Sequence, residues 1–225
     1  MNRELESLTE SIHKTFQWLG HASFSFQPDT GEKVFFIDPF RLKQDFHKKA
    51  DFIFVTHAHD DHWSPVDIKR ILKPETQIFA PSGCSGLEHG NIETVQPGYY
   101  KNLDIIKVRA VPAYNVKTER LNFHPRENNW VGYVFTINGK TFYHAGDTDF
   151  IVEMKQLTDL DVAFLPIGGT YTMDVNEAAE AANAMMPKIT VPMHYKALLK
   201  EESTAAEEKF KKAVKGEVLV LEEYK

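Results

Sequence analysis

The sequence has only one cysteine, Cys84. That excludes an intramolecular disulfide framework and any multi-cysteine zinc or iron–sulfur site. Positive charge is not in excess either, with 26 Lys and Arg against 32 Asp and Glu and a formal charge of −6. With no basic arm and no aromatic–basic patch, a nucleic-acid partner is not expected. No apolar run approaches the ~20 residues of a membrane span. The first twenty residues mix acids with apolar groups, unlike a signal peptide. The expectation is a cytoplasmic protein that acts on a small molecule without a membrane partner. No Gly/Ser-rich linker or solenoid-period repeat divides the sequence, so a single domain over residues 1–225 is expected. Its oligomeric state is not written in the pattern.

Hydrophobic residues make up 42% of the chain, which supports a sizeable core without staples. Strands are expected at 16–19, 23–27, 34–37, 51–56, 77–80, 105–113, 130–137, 141–144, 162–167, 189–193 and 217–221. Asn138-Gly139 between two of these is a strong hairpin signal. Ser64-Pro65 with Asp67, Asp174 with Glu177 and Thr204 with Glu207 read as helix starts. Leu5 to Lys14 reads as a further, weaker helix. Many strands come first and strand–helix alternation follows, which suggests an α/β sandwich.

The chemistry concentrates in Thr56-His57-Ala58-His59-Asp60-Asp61-His62. Three histidines and an aspartate at this spacing arise by chance in roughly one such chain per thousand. The cluster follows the buried run DFIFVT and precedes the helix capped by Ser64. It therefore occupies a loop at the carboxyl end of a strand, where α/β sheets place ligands. Imidazole nitrogens and carboxylates are what borderline divalent metals prefer. His57 and His59 can approach one ion, and Asp61 with His62 a second. Asp147 in Gly146-Asp147-Thr148 and His194 in Pro192-Met193-His194 also close strands. His13, His47 and His89 read as surface residues, and Trp18, Trp63 and Trp130 as core or cleft walls.

The THxHxDH element, the GDT element and the later strand-terminal His194 resemble the metallo-β-lactamase superfamily. Leu19-Gly20-His21-Ala22 and Phe36-Ile37-Asp38-Pro39-Phe40 resemble a branch of predicted metal-dependent hydrolases similar to L-ascorbate-6-phosphate lactonase. The resemblance implies an αββα four-layer sandwich with one or two divalent ions, zinc first and Mn, Fe or Ni as alternatives. It further implies His57 and His59 as ligands of one ion, Asp61, His62 and His194 as ligands of the other, and Asp147 as the bridge. The family's third histidine of the first ion is missing, because that place reads Val111-Pro112-Ala113-Tyr114-Asn115. Either His124 returns to the site, or Asn115 replaces the imidazole, or the position stays open.

The activity expected is hydrolysis of an ester, lactone or phosphodiester by a metal-bound hydroxide, with Asp61 orienting it. His144 either transfers a proton to the leaving group or orients a ligand. His21 either bonds near the cleft or stabilises its turn, and Asp38 is read as orienting a ligand histidine in preference to binding metal. The stretch 167–173 reads either as a substrate loop or as a connector. Two other functions stand beside hydrolysis: an iron-dependent redox enzyme of the same fold, and a non-catalytic binding protein that the metal only stabilises.

Overall fold

The computed structural model describes residues 3–27, 33–88 and 90–224. His89 lies outside them. The chain forms two compact units, residues 1–95 with 221–225, and residues 96–220. Each unit is built on its own sheet.

The first unit begins with α1 (Arg3–Thr15), which buries Leu8 and Ile12. It continues with β1 (Phe16–Gly20), β2 (Ser23–Phe26), β3 (Phe35–Ile37), β4 (Phe52–Phe54), α2 (Pro65–Ile71), β5 (Gln77–Pro81) and β6 (Asn91–Val95). The strands lie in chain order. β2 is antiparallel to both β1 and β3, and β3 to β6 run parallel. Strand alternation divides the side chains between the two faces. Phe36, Ile53, Val55 and Ile78 pack with Ile68 and Ile71 of α2. A ladder of phenyl rings crosses five strands, with centroid spacings of 4.6 Å for Phe16–Phe26 and for Phe26–Phe35, 5.6 Å for Phe35–Phe54 and 5.0 Å for Phe54–Phe79. Each buried ring contributes about 1.5–3 kcal/mol. Residues 221–224 return to this unit, where the Tyr224 amide donates to the Trp18 carbonyl at 2.7 Å.

The second unit holds β7 (Tyr100–Leu103), β8 (Ile106–Pro112), β9 (Val131–Ile137), β10 (Lys140–His144), β11 (Val162–Pro166), α3 (Val175–Met185), β12 (Ile189–Met193), α4 (Lys196–Leu199), α5 (Ser203–Ala213) and β13 (Glu217–Val218). Its sheet runs β7 to β13 in chain order, antiparallel from β7 to β10 and parallel from β10 to β13. Asn138 (φ 50°) and Gly139 (φ 76°) turn the β9–β10 hairpin, the positive-φ pair that a two-residue hairpin needs.

Two sheets with helices agree with the expected α/β class. The differences lie in polar or short elements. β6 and β7 are strands that the pattern did not announce, and most of their residues are exposed or half-buried. Thr204 does not cap α5, because a short 3₁₀ turn over Lys200–Glu202 leads into a helix that already begins at Ser203. The caps at Ser64 and Asp174 are present as read. Among the described residues no helix is long and apolar enough to cross a membrane.

Asp174 accepts from the Asn176 and Glu177 amides at 2.8 and 3.0 Å, and Glu177 reaches back to the Asp174 amide at 3.0 Å. Asp174→Ala is expected to cost about 1 kcal/mol, which lowers the melting temperature by about 2–4 °C in a chain of this size.

Candidate functional site

In the first sheet β1, β3 and β4 all run the same way, so their carboxyl ends share an edge. His21 follows β1, Asp38 follows β3 and the histidine cluster follows β4. Asp38, at φ 45° and 0% exposed, turns its carboxylate beneath the cluster. Oδ1 accepts from the Thr56 amide at 2.7 Å, and Oδ2 accepts from the Thr56 hydroxyl and from His62 Nδ1, both at 2.7 Å. The Thr56 proton is therefore directed to Asp38, so the same hydroxyl accepts from His57 Nδ1, 3.0 Å away. A single carboxylate thus sets the Nδ1–H tautomer of both His57 and His62 and leaves each Nε2 with its lone pair.

Downstream, the His62 and Trp63 amides donate to the His59 carbonyl at 2.9 and 2.7 Å. This tight turn brings His59 Nδ1 to 3.1 Å from His57 Nε2. His21 Nε2 lies 3.0 Å from Asp61 Oδ2, and Asp61 is 40% exposed. One ligand atom from each of His21, Asp61 and His62 lies within 4.8 Å of the others. The His21 carbonyl also accepts from Trp18 Nε1 at 2.9 Å.

In the second sheet β8, β10, β11 and β12 share a direction, and their carboxyl ends carry Asn115, the GDT turn, the 167–173 stretch and His194. The Gly146 amide donates to His144 Nδ1 at 3.3 Å, which ties the buried imidazole to the turn that presents Asp147. Asp147 is 4% exposed. Its Oδ2 lies 3.1 Å from His194 Nε2 and 3.3 Å from His124 Nε2. Gly168 is needed where it stands, because a Cβ there would meet the His194 carbonyl oxygen at 2.4 Å.

Of the three alternatives at the missing histidine, the structure brings His124 to Asp147. Asn115 faces His124. Its Oδ1 accepts from the His124 amide at 3.0 Å and from His124 Nδ1 at 2.8 Å, so the amide oxygen is already committed. Two residues that the sequence reading missed hold this arrangement. Asp149 is fully buried and accepts from Asn115 Nδ2 at 3.0 Å and from the Val116 and Lys117 amides at 2.8 and 2.9 Å. Arg120 Nε lies 3.1 Å from Asp149, and its Nη2 reaches Glu177 at 2.7 Å. A second carboxylate two residues after Asp147 was a signal for Asp149. An arginine in a polar loop gives no sign that it is buried.

The donor sets fit a divalent ion. Two imidazole nitrogens face one buried carboxylate oxygen in the second unit, and two more imidazoles offer Nε2 in the first. Nitrogen and carboxylate donors of this kind suit zinc and its first-row neighbours. His13 and His47 are exposed, and Trp18, Trp63 and Trp130 are buried.

Residues 15–194 match the family described as the Beta-lactamase superfamily domain. The chain belongs to this family and has the metallo-β-lactamase fold. Among its relatives is a UPF0173 metal-dependent hydrolase of Pyrococcus furiosus, 34% identical over 91% of this chain and 94% of its own length. One from Thermoplasma acidophilum is 35% identical over 79% of this chain and 81% of its own. A solved structure from Parabacteroides distasonis, provisionally named a metal-dependent hydrolase, is 35% identical, has a TM-score of 0.81 and covers 93% of each chain. Igni18, a metallo hydrolase of Ignicoccus hospitalis, shares the fold at 24% identity and a TM-score of 0.74, over 94% of this chain and 96% of its own.

Two outcomes follow from the position of Asp38. Asp38→Asn puts an amide N–H against groups that already donate, and affinity for a divalent metal ion is expected to fall about 10- to 100-fold, as read by chelator competition. Burial, then the charge of Asp38, pushes the Cys84 thiol up to about 12 from its ordinary 9.0. The unfolded chain releases that proton near 9.0 while the native chain keeps it, so stability falls as pH rises from about 9 towards 12. Native Cys84 is expected to resist iodoacetamide at pH 9 and to react once unfolded.

Proposed function

We propose that the protein is a metal-dependent hydrolase of small ester, lactone or phosphodiester substrates. The observation that carries this reading is the anchoring of His57 and His62 by Asp38, which presets both rings to offer Nε2 before any ion arrives. The metal-binding groups are His57, His59, Asp61 and His62 in the first unit and His124, Asp147 and His194 in the second, with zinc the preferred ion. When bound, such an ion acidifies water and stabilises negative charge on a carbonyl or phosphoryl oxygen.

The residues of the chain divide the remaining work. Asp61 is held at 3.0 Å by His21 and is open to solvent, so it is suited to accept a proton from the attacking water and to fix its direction. Asp38 and Thr56 hold the imidazoles. Of the two roles open to His144, the bond from Gly146 favours the orienting one, in which the ring fixes the turn that carries Asp147. Membership of a family with relatives named metal-dependent hydrolases supports the reaction class.

The test is elemental analysis of the purified protein, followed by a screen against generic phosphodiester, ester and lactone substrates. Asp61→Ala and His59→Ala are each expected to lower turnover at least about 100-fold, while circular dichroism melts show a folded chain. Full activity in both variants overturns the assignment. Bound iron with oxygen consumption and no hydrolysis replaces it with the redox reading.

A further inference from the structure

We infer that Asn115 and Asp149 are positioning residues that fix His124 with its proton on Nδ1 and so convert a loop histidine into a metal ligand. The inference rests on the metal reading above and adds residues which that reading does not need.

It follows from donor and acceptor bookkeeping. Asn115 has one acceptor oxygen and one donor nitrogen, and its neighbours decide which faces where. On one side stand Asp149 Oδ1 and the Tyr171 carbonyl, each 3.0 Å from Nδ2. A carbonyl only accepts, and so does the Asp149 carboxylate, whose Oδ2 receives the Val116 and Lys117 amides while the Arg120 guanidinium stands 3.1 Å from Oδ1 as an ion pair. The amide nitrogen must therefore point at Asp149, and the amide oxygen must point at His124. An oxygen without a proton, 2.8 Å from His124 Nδ1, requires that nitrogen to carry the hydrogen.

His124 Nε2 is left facing Asp147 Oδ2 across 3.3 Å. In the neutral ring this sets a lone pair against a carboxylate. Two acceptors at that distance in a buried place call for a shared cation.

The loop itself is closed around this pair of residues. The Asn115 amide donates to the His124 carbonyl at 2.9 Å, and the His124 amide donates back to Asn115 Oδ1 at 3.0 Å. The Asp149 amide donates to the Tyr114 carbonyl at 3.1 Å. Asp147 and Asp149 stand two residues apart, so the chain closes a ring from Asp147 through Thr148, Asp149, Asn115 and His124 back to Asp147. Arg120 ties the ring to α3 through Glu177 at 2.7 and 2.8 Å. His124 therefore takes its orientation from the residue that stands where the family pattern expects a histidine.

Two measurements test this. The first is long-range ¹⁵N–¹H NMR of the metal-free protein, with His124→Ala identifying the ring signals. A protonated, pyrrole-type Nδ1 is expected, and an unprotonated Nδ1 overturns the inference whether or not the protein binds zinc. This readout needs no variant of Asn115 to fold. The second is zinc affinity, by competition with a chromophoric chelator, for the unsubstituted chain, Asn115→Ala, His124→Ala and the double variant. Asn115→Ala is expected to weaken zinc binding about 10- to 100-fold and to have no further effect once His124 is absent. An equal loss in both backgrounds marks a general structural role and overturns the positioning one. If His124→Ala binds zinc as tightly as the unsubstituted chain, the ligand reading of His124 fails instead, and the NMR result still decides the orientation.

Discussion

A buried carboxylate accepts hydrogen bonds and donates none, and the arrangement of both clusters follows from that one-sidedness. Asp38 accepts from three donors in the first unit and Asp149 from three in the second, where the Arg120 guanidinium adds an ion pair. Their desolvation is offset by charge-assisted bonds, each worth roughly twice a neutral one. Each carboxylate also imposes a direction on the next polar group. The Thr56 hydroxyl spends its proton on Asp38 and can only accept from His57. The Asn115 amide spends its N–H on Asp149 and can only accept from His124. Two unrelated stretches of chain, with different intermediaries, arrive at the same imidazole tautomer.

The sheets supply the placement that this chemistry assumes. A parallel strand delivers its carboxyl end to one edge, and the residue after it can turn inward only if the backbone allows. Asp38 and His194 both manage this at positive φ, a conformation uncommon for residues other than glycine. Strain of this kind belongs where a side chain has to face a particular way. The Phe ladder and the α2 packing give the first unit a rigid base for it.

Much of this was legible in the sequence for identifiable reasons. Side-chain caps such as Ser64 and Asp174 act locally, and so does the Asn138-Gly139 turn, so a few residues suffice to read them. The histidine cluster was legible because unusual residue types were crowded together. Asn115 was read by its position along a strand, which says nothing about where the following loop returns. Its role appears only when residues 116–123 close and bring His124 alongside. Arg120 and Asp149 are charged groups buried by partners from distant segments, and no local pattern records such pairing. β6 and β7 were missed because their outward residues dilute the apolar alternation.

The return of residues 221–224 to β1 has a consequence for how the molecule is made. The first unit is discontinuous in sequence, and the Tyr224 amide that meets Trp18 leaves the ribosome after the whole second unit. Throughout that interval the nascent sheet has an open border at β1, able to pair with another chain. Closure of that border therefore waits until the second unit has been synthesised.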